Sequence, residues 1–284
     1  MILAQTKILP DSFQQILPGA SAWVDSMAVD PLAVSLQSWF AQIEVIHFMG
    51  LFALASCVIM TSLRLIGVGL VEASPSSIYR STRIWLHIGV IAAVGSGLFL
   101  GLSNASKLYN SSAFLWKMTG MVAAILFSYL VMAPVAKADG EVRGGAKIGL
   151  FIALAVWLLG IILMIVKPIA NVGAFHVLYG GALVAIAALS GRSRWILIGG
   201  LAAMIIALQI ATHMIWTDPF TEIYMTVNKV FMWGAGLFIA AVVTLNILGK
   251  IGAKDSNSLA RLVAYATILS WVMVGAGGRW IGLS

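Results

Sequence analysis

Charge is what this sequence has least of. Only 10% of its 284 residues are Asp, Glu, Lys or Arg, against roughly a quarter in a soluble domain. A core dissolved in water needs a polar skin. With 61% hydrophobic residues and a mean hydropathy of +1.01, little material is left for one. Lipid is the solvent this composition fits. Cysteine is nearly absent: Cys57 is the only one. That excludes an intramolecular disulfide and every Cys-x-x-Cys site for zinc, iron–sulfur or c-type haem attachment. Inside its apolar run, Cys57 reads as a small buried hydrophobe. Walker A, nucleophile-elbow, His-Glu-x-x-His and dinucleotide-binding fingerprints are also missing. The first stretch has no apolar run of signal-peptide length and is broken by Pro10 and Pro18, so no cleavable signal is expected.

What is present is a succession of long apolar runs. A spanning helix needs ~20 mostly apolar residues, and such runs fall at 40–66, 84–103, 113–136, 147–167, 171–190, 195–216, 226–249 and 260–280. The fold class expected is an all-α polytopic membrane protein with about eight transmembrane helices. Ser-Pro-Ser-Ser at 74–77, Asp139-Gly140, Lys167-Pro168 and Asp218-Pro219 punctuate the connections.

The net charge of +7 would suggest nucleic acid in a soluble protein. Here the basic residues sit in short loops, without interleaved aromatics, and act as topology signals, so no nucleic-acid partner is expected. Arg64, Arg80, Arg83, Lys137, Arg143, Lys147, Arg192, Arg194, Lys250, Lys254 and Arg261 share one side. Positive charge stays cytoplasmic. The expected location is therefore a prokaryotic inner membrane, with both termini periplasmic.

The halves look alike. His47-Phe-Met-Gly and His176-Val-Leu-Tyr-Gly open comparable helices that end in Arg64 and Arg192, and Lys117 and Lys229 stand near the starts of helices three and seven. The expected organisation is an outward N-terminal tail (1–36), a first four-helix repeat (37–168) and a second (169–284). Four helices per unit imply parallel repeats related by an axis along the membrane normal. Gly95, Gly97 and Gly101 on helix two, with Gly234 and Gly236 on helix seven, are expected at close helix contacts.

Ionisable groups inside spans are functional candidates. All four histidines fall in the expected spans. His47, His176 and His213 share the outer half of the bilayer, and His87 opens helix two at the inner face. Imidazole suits iron, copper and zinc, so His47, His176 and His213 are candidate ligands for b-type haem or for copper. Any one of them could equally hydrogen-bond a neighbouring helix. Glu44, three residues before His47, lies on the same helical face and could orient the imidazole or relay protons from a quinol. Lys117 and Lys229 could hold haem propionates or a lipid phosphate, or simply snorkel.

Glu44-x-x-His47, Leu63-Arg64-Leu65-Ile66-Gly67, Gly95-Ser-Gly-Leu-Phe, Tyr109-Asn110 and Phe114-Leu-Trp-Lys117 resemble an uncharacterised prokaryotic integral-membrane family over residues 35–135. In layout the chain is also similar to copper-resistance D membrane proteins and small b-type cytochromes. It departs from the family where Thr61-Ser62 replace an acidic residue and where no glutamate precedes His176. The resemblance implies a fold rather than a chemistry.

From the residues, the leading expectation is a haem b redox subunit passing electrons between quinol and a periplasmic or membrane partner. A copper-binding or copper-transporting protein is the alternative. A third reading is an anchor or assembly subunit with no chemistry of its own.

Overall fold

In a bilayer each backbone N–H and C=O must find its partner within its own segment, so long apolar runs become helices. The computed structural model describes residues 10, 12–166, 182–183, 185–186, 189, 191–215, 222–251 and 258–281, and every regular element among them is helical. Three short helices come first: α1 (Phe13–Ile16), α2 (Ser21–Ser26) and α3 (Pro31–Ser38). The long helices α4 (Phe40–Ile66) and α5 (Pro75–Ser103) follow. A short α6 (Ala105–Asn110) leads into α7 (Ser112–Lys137), whose middle turn, Phe127–Met132, is π-helical. Pro134 has no N–H to donate to the preceding turn, which accounts for the widened helix there. Then come α8 (Gly145–Val166), α9 (Gly191–Ile215), α10 (Glu222–Ile247) and α11 (Ser258–Ile281).

Five of these helices are long and apolar enough to cross a membrane: Phe40–Ile66, Pro75–Ser103, Ser112–Lys137, Gly191–Met214 and Leu259–Ile281. Gly145–Ile161 and Val230–Asn246 are shorter apolar stretches. Most of the run at 171–190 lies outside the described residues. The chain is a helical, multi-pass membrane protein.

Local signals explain the helix ends. Asp30 caps α3, accepting from the N–H groups of Leu32 and Ala33 at 2.9 and 3.0 Å. Helix α5 starts nine residues before the expected 84, because Ser74 accepts from the Ser77 N–H and Pro75 fills the first turn. As a result His87 lies roughly 18 Å along the helix from Pro75 at ~1.5 Å per residue and does not open the helix as expected. Its Nδ1 stands 3.0 Å from the Tyr129 hydroxyl.

The Leu63-Arg64-Leu65-Ile66-Gly67 motif is a helix terminator. Gly67 takes φ +89°, while its N–H and that of Val68 bond back to the carbonyls of Arg64 and Leu63. The Arg64 Nε then donates to the Ala73 carbonyl across the loop. Asp139, in the turn after α7, accepts from the Ser76 N–H at 3.0 Å, so the α4–α5 and α7–α8 loops share one end of the bundle. The N-terminal helices and α6 occupy the other.

Helices α4 and α5 make the most extensive pairing. A Cβ at Gly89 would fall 2.4 Å from the Leu54 backbone nitrogen, so the two backbones touch at Gly50 and Gly89. Of the glycines expected at close contacts, Gly97 is at one, where a Cβ would be 3.3 Å from the His47 ring, whereas a Cβ at Gly95 or Gly234 would meet nothing within 4 Å. Leu54, Cys57, Leu86, Phe127, Met132, Ala153 and Val263 join α4, α5, α7, α8 and α11 in one core. Helix α11 packs along α7 and α4, whereas α9 packs on α10 around Leu189, Leu197, Ile239 and Val242. The last helix therefore shares its core with the first four, across the boundary between the expected repeats.

Candidate functional site

A cavity of about 490 Å³ opens between α4, α5, α7 and α11 at the end that carries the N-terminal helices. Its walls are almost entirely apolar. Leu51, Val90, Met121 and Trp271 lie at its deep end, and Phe13, Leu17 and Trp23 from α1, α2 and their connection cover it. The cover is fixed in place: the Tyr109 hydroxyl donates to the Leu17 carbonyl at 2.6 Å, and the Phe13 and Phe114 rings lie 5.5 Å apart. Trp271 is held by its indole N–H donating to the Ser128 hydroxyl at 2.9 Å.

Among the described residues three ionisable side chains line this apolar space, Tyr109, His47 and Lys117. The His47 Nδ1 lies 3.1 Å from the Ser96 hydroxyl, and that hydroxyl donates its hydrogen to the Ala92 carbonyl at 2.5 Å. A serine has one hydrogen to give, so toward His47 it can only accept. With the hydroxyl hydrogen on the Ala92 carbonyl, the imidazole proton is assigned to Nδ1 and the lone pair to Nε2. Ser96 takes the orienting place that the sequence suggested for Glu44. Glu44 is half-buried and makes no hydrogen bond or ion pair among the described residues.

Lys117 lies against α11 where two glycines meet it. A Cβ at Gly277 would be 2.7 Å from the Lys117 Cβ, and one at Gly278 would be 3.5 Å from its Nζ. The missing side chains make the slot along which the lysine stem runs. No hydrogen bond or ion pair joins Lys117 to any described residue.

The other candidates are placed differently. His213 is exposed near the end of α9, whose extended packing partner is α10 rather than the cavity helices. His176 and the side chain of Lys229 lie outside the described residues. Among the described residues no three His, Cys, Asp or Glu side chains converge as a metal cage. Sequence reasoning missed Ser96, Trp271 and the Gly277–Gly278 slot. A serine between two glycines in an apolar helix was the available signal for the first, and the slot depends on a helix distant in sequence.

Comparison with known proteins gives one likeness. Residues 35–173 match the model of a family of unknown function (DUF6644). The match takes in α4, α5, α7 and α8, and with them His47, Ser96 and Lys117. No curated protein and no solved structure matches, so the likeness to copper-resistance D proteins and b-type cytochromes finds no support.

Proposed function

We propose that the protein is an integral membrane redox subunit that receives quinol in the cavity beside His47 and passes its electrons, through b-type haem, toward a periplasmic or membrane partner. The observation that carries this reading is the placing of His47 in the wall of an apolar cavity beside Lys117, with its Nδ1 3.1 Å from the Ser96 hydroxyl. Its Nε2 lone pair is presented in an apolar, membrane-embedded cavity, where it can take the proton of a quinol O–H. As that bond breaks, the Lys117 ammonium stabilises the oxygen anion. Oxidation of one quinol releases two protons and two electrons; His47 would accept each proton in turn after releasing the one before to the aqueous phase, and a b-type haem would supply the one-electron acceptor. In this reading His47 serves the quinol, which leaves His176 and His213 as the imidazole pair for iron. The eight spans, the parallel repeat and the periplasmic placing of both termini belong to the same proposal.

Purified protein should show a Soret band and a reduced α-band. His213→Ala should lose most of the haem, while His47→Ala should keep it and lose its reduction by added quinol. Protein that is free of haem, or haem in the His47→Ala variant that quinol still reduces at the parental rate, overturns the reading. Reporters fused after Ser284 and within the 137–147 loop should lie in opposite compartments; the same compartment for both would refute the orientation.

A further inference from the structure

We infer that the cavity is a binding site for an amphiphile with an anionic head, held by the Lys117 ammonium, and a long apolar body lying among α4, α5, α7 and α11. This goes beyond the redox reading, because it concerns the charge and length of what the cavity holds and stands whether or not electrons pass. Lys117 sits about 8 Å along α7 from Ser112, at ~1.5 Å per residue, in a helix long and apolar enough to cross the membrane. A charge so placed is costly unless it is paired or reaches water. Neither a carboxylate nor any other described hydrogen-bonding group meets it. Among the described residues no acidic side chain lines the cavity, and beyond Lys117, His47 and Tyr109 its wall is almost wholly apolar.

A neutral apolar guest would leave the cation unmatched. A water-soluble anion would leave the apolar length of the cavity empty. An anion on an apolar chain satisfies both. The lining agrees: it is apolar on both sides of the Lys117 and His47 level, toward Leu17 and Leu102 and toward Val90 and Trp271, so an apolar body has wall to lie against while the head meets Lys117. With its proton assigned to Nδ1, the His47 Nε2 adds an acceptor, which suits a head that also carries an O–H, such as a phosphate monoester or a quinol monoanion. Carboxylate and phosphate heads share the chemistry that Lys117 recognises, and their relative affinities name the source.

The test uses the full chain in nanodiscs of neutral lipid, with hexadecanoate, hexadecyl phosphate and hexadecanol as probes and quenching of Trp271 by chain-brominated versions as readout. Trp271→Phe supplies the background. The two anionic probes should bind about tenfold or more tighter than the alcohol. Lys117→Met should abolish that preference, and Lys117→Arg should retain it. Stronger binding of the phosphate points to a phospholipid-type ligand, and stronger binding of the carboxylate to a fatty-acid type. Equal affinity of all three probes for the parent protein, which needs no variant to fold, overturns the inference. So does a preference that survives Lys117→Met. Haem-free protein with the anion preference intact would sink the redox reading alone; quinol turnover with no head-group preference would sink this one alone.

Discussion

At the scale of single residues, the site depends on how hydrogens are shared. The Ser96 hydroxyl lies within hydrogen-bond reach of both the Ala92 carbonyl and the His47 Nδ1, and its bond to Ala92 assigns the imidazole proton to Nδ1. Hydrogen-bond partners that orient a metal-bound imidazole contribute about ten- to a hundredfold, and the lower end is taken for an imidazole that accepts a proton. Ser96→Ala should therefore slow quinol-driven haem reduction by roughly tenfold with haem content unchanged, as read by stopped-flow absorbance. An unaltered rate would make Ser96 a packing residue. Asp139 tests a different link, at the loop end of the bundle. Its carboxyl is held below the usual carboxylate range chiefly by the Ser76 N–H and side chain, with Arg80 and Arg64 adding to the effect. A carboxyl whose folded-state pKa is depressed stabilises the fold above its unfolded value of about 3.9, and that contribution fades as pH falls toward the folded value. The parent protein should therefore lose more of its thermal midpoint than Asp139→Asn does between about pH 5 and pH 3. Parallel losses in the two proteins would deny the carboxylate this role.

At the scale of elements, the closest packing is set where a side chain is missing. At Gly89 a Cβ would overlap the Leu54 backbone nitrogen and the Gly50 carbonyl oxygen, atoms that cannot rotate away. Gly89→Val should force α4 and α5 apart and cost at least the roughly 1–3 kcal/mol of an overpacked core, visible as a lower midpoint in a thermal melt in detergent. Gly95→Ala, where nothing lies within 4 Å, should leave the midpoint unchanged or raise it. If both variants behave alike, the close approach of α4 and α5 is not what stabilises the pair. The sequence shows which helices are glycine-rich, yet it does not show which glycine meets a backbone, because that depends on where two helices cross. Helix ends were more legible. Gly67 after Leu-Arg-Leu-Ile and Ser74-Pro75 before the next run carry their conformations in their chemistry. The early start of α5 was missed because residues 75–83 are polar enough to read as loop, though their N-cap and N1 residues are good helix starters.

At the scale of the whole molecule, hydropathy disclosed the membrane fold, and the order of packing was hidden. Lipid tails are as apolar as leucine, so helices in a bilayer associate through close fit and polar contacts rather than through burial. A periodicity of apolar residues therefore cannot say which helices touch. The sequence places His47 and Lys117 on separate helices of one half, and the cavity they share is completed by Trp271 and the Gly277–Gly278 slot from the far end of the chain. The family match ends at 173, before α11. If α11 completes the bundle, a fragment of residues 1–173 should be deficient in a specific way. Lys117 would face hydrocarbon, which on insertion scales costs about 2.5–3.5 kcal/mol for such a residue at a helix centre and less toward its end, and Ser128 would lose the Trp271 indole. The fragment alone should elute as a broad or aggregated species on size exclusion. Co-expression with residues 252–284 should restore a monodisperse peak that carries both pieces, and Lys117→Leu should partly rescue the fragment on its own. A compact, monodisperse 1–173 fragment, with no gain from α11 or from Lys117→Leu, would mean that the first four long helices form a complete unit and that the last helix is an accessory to it.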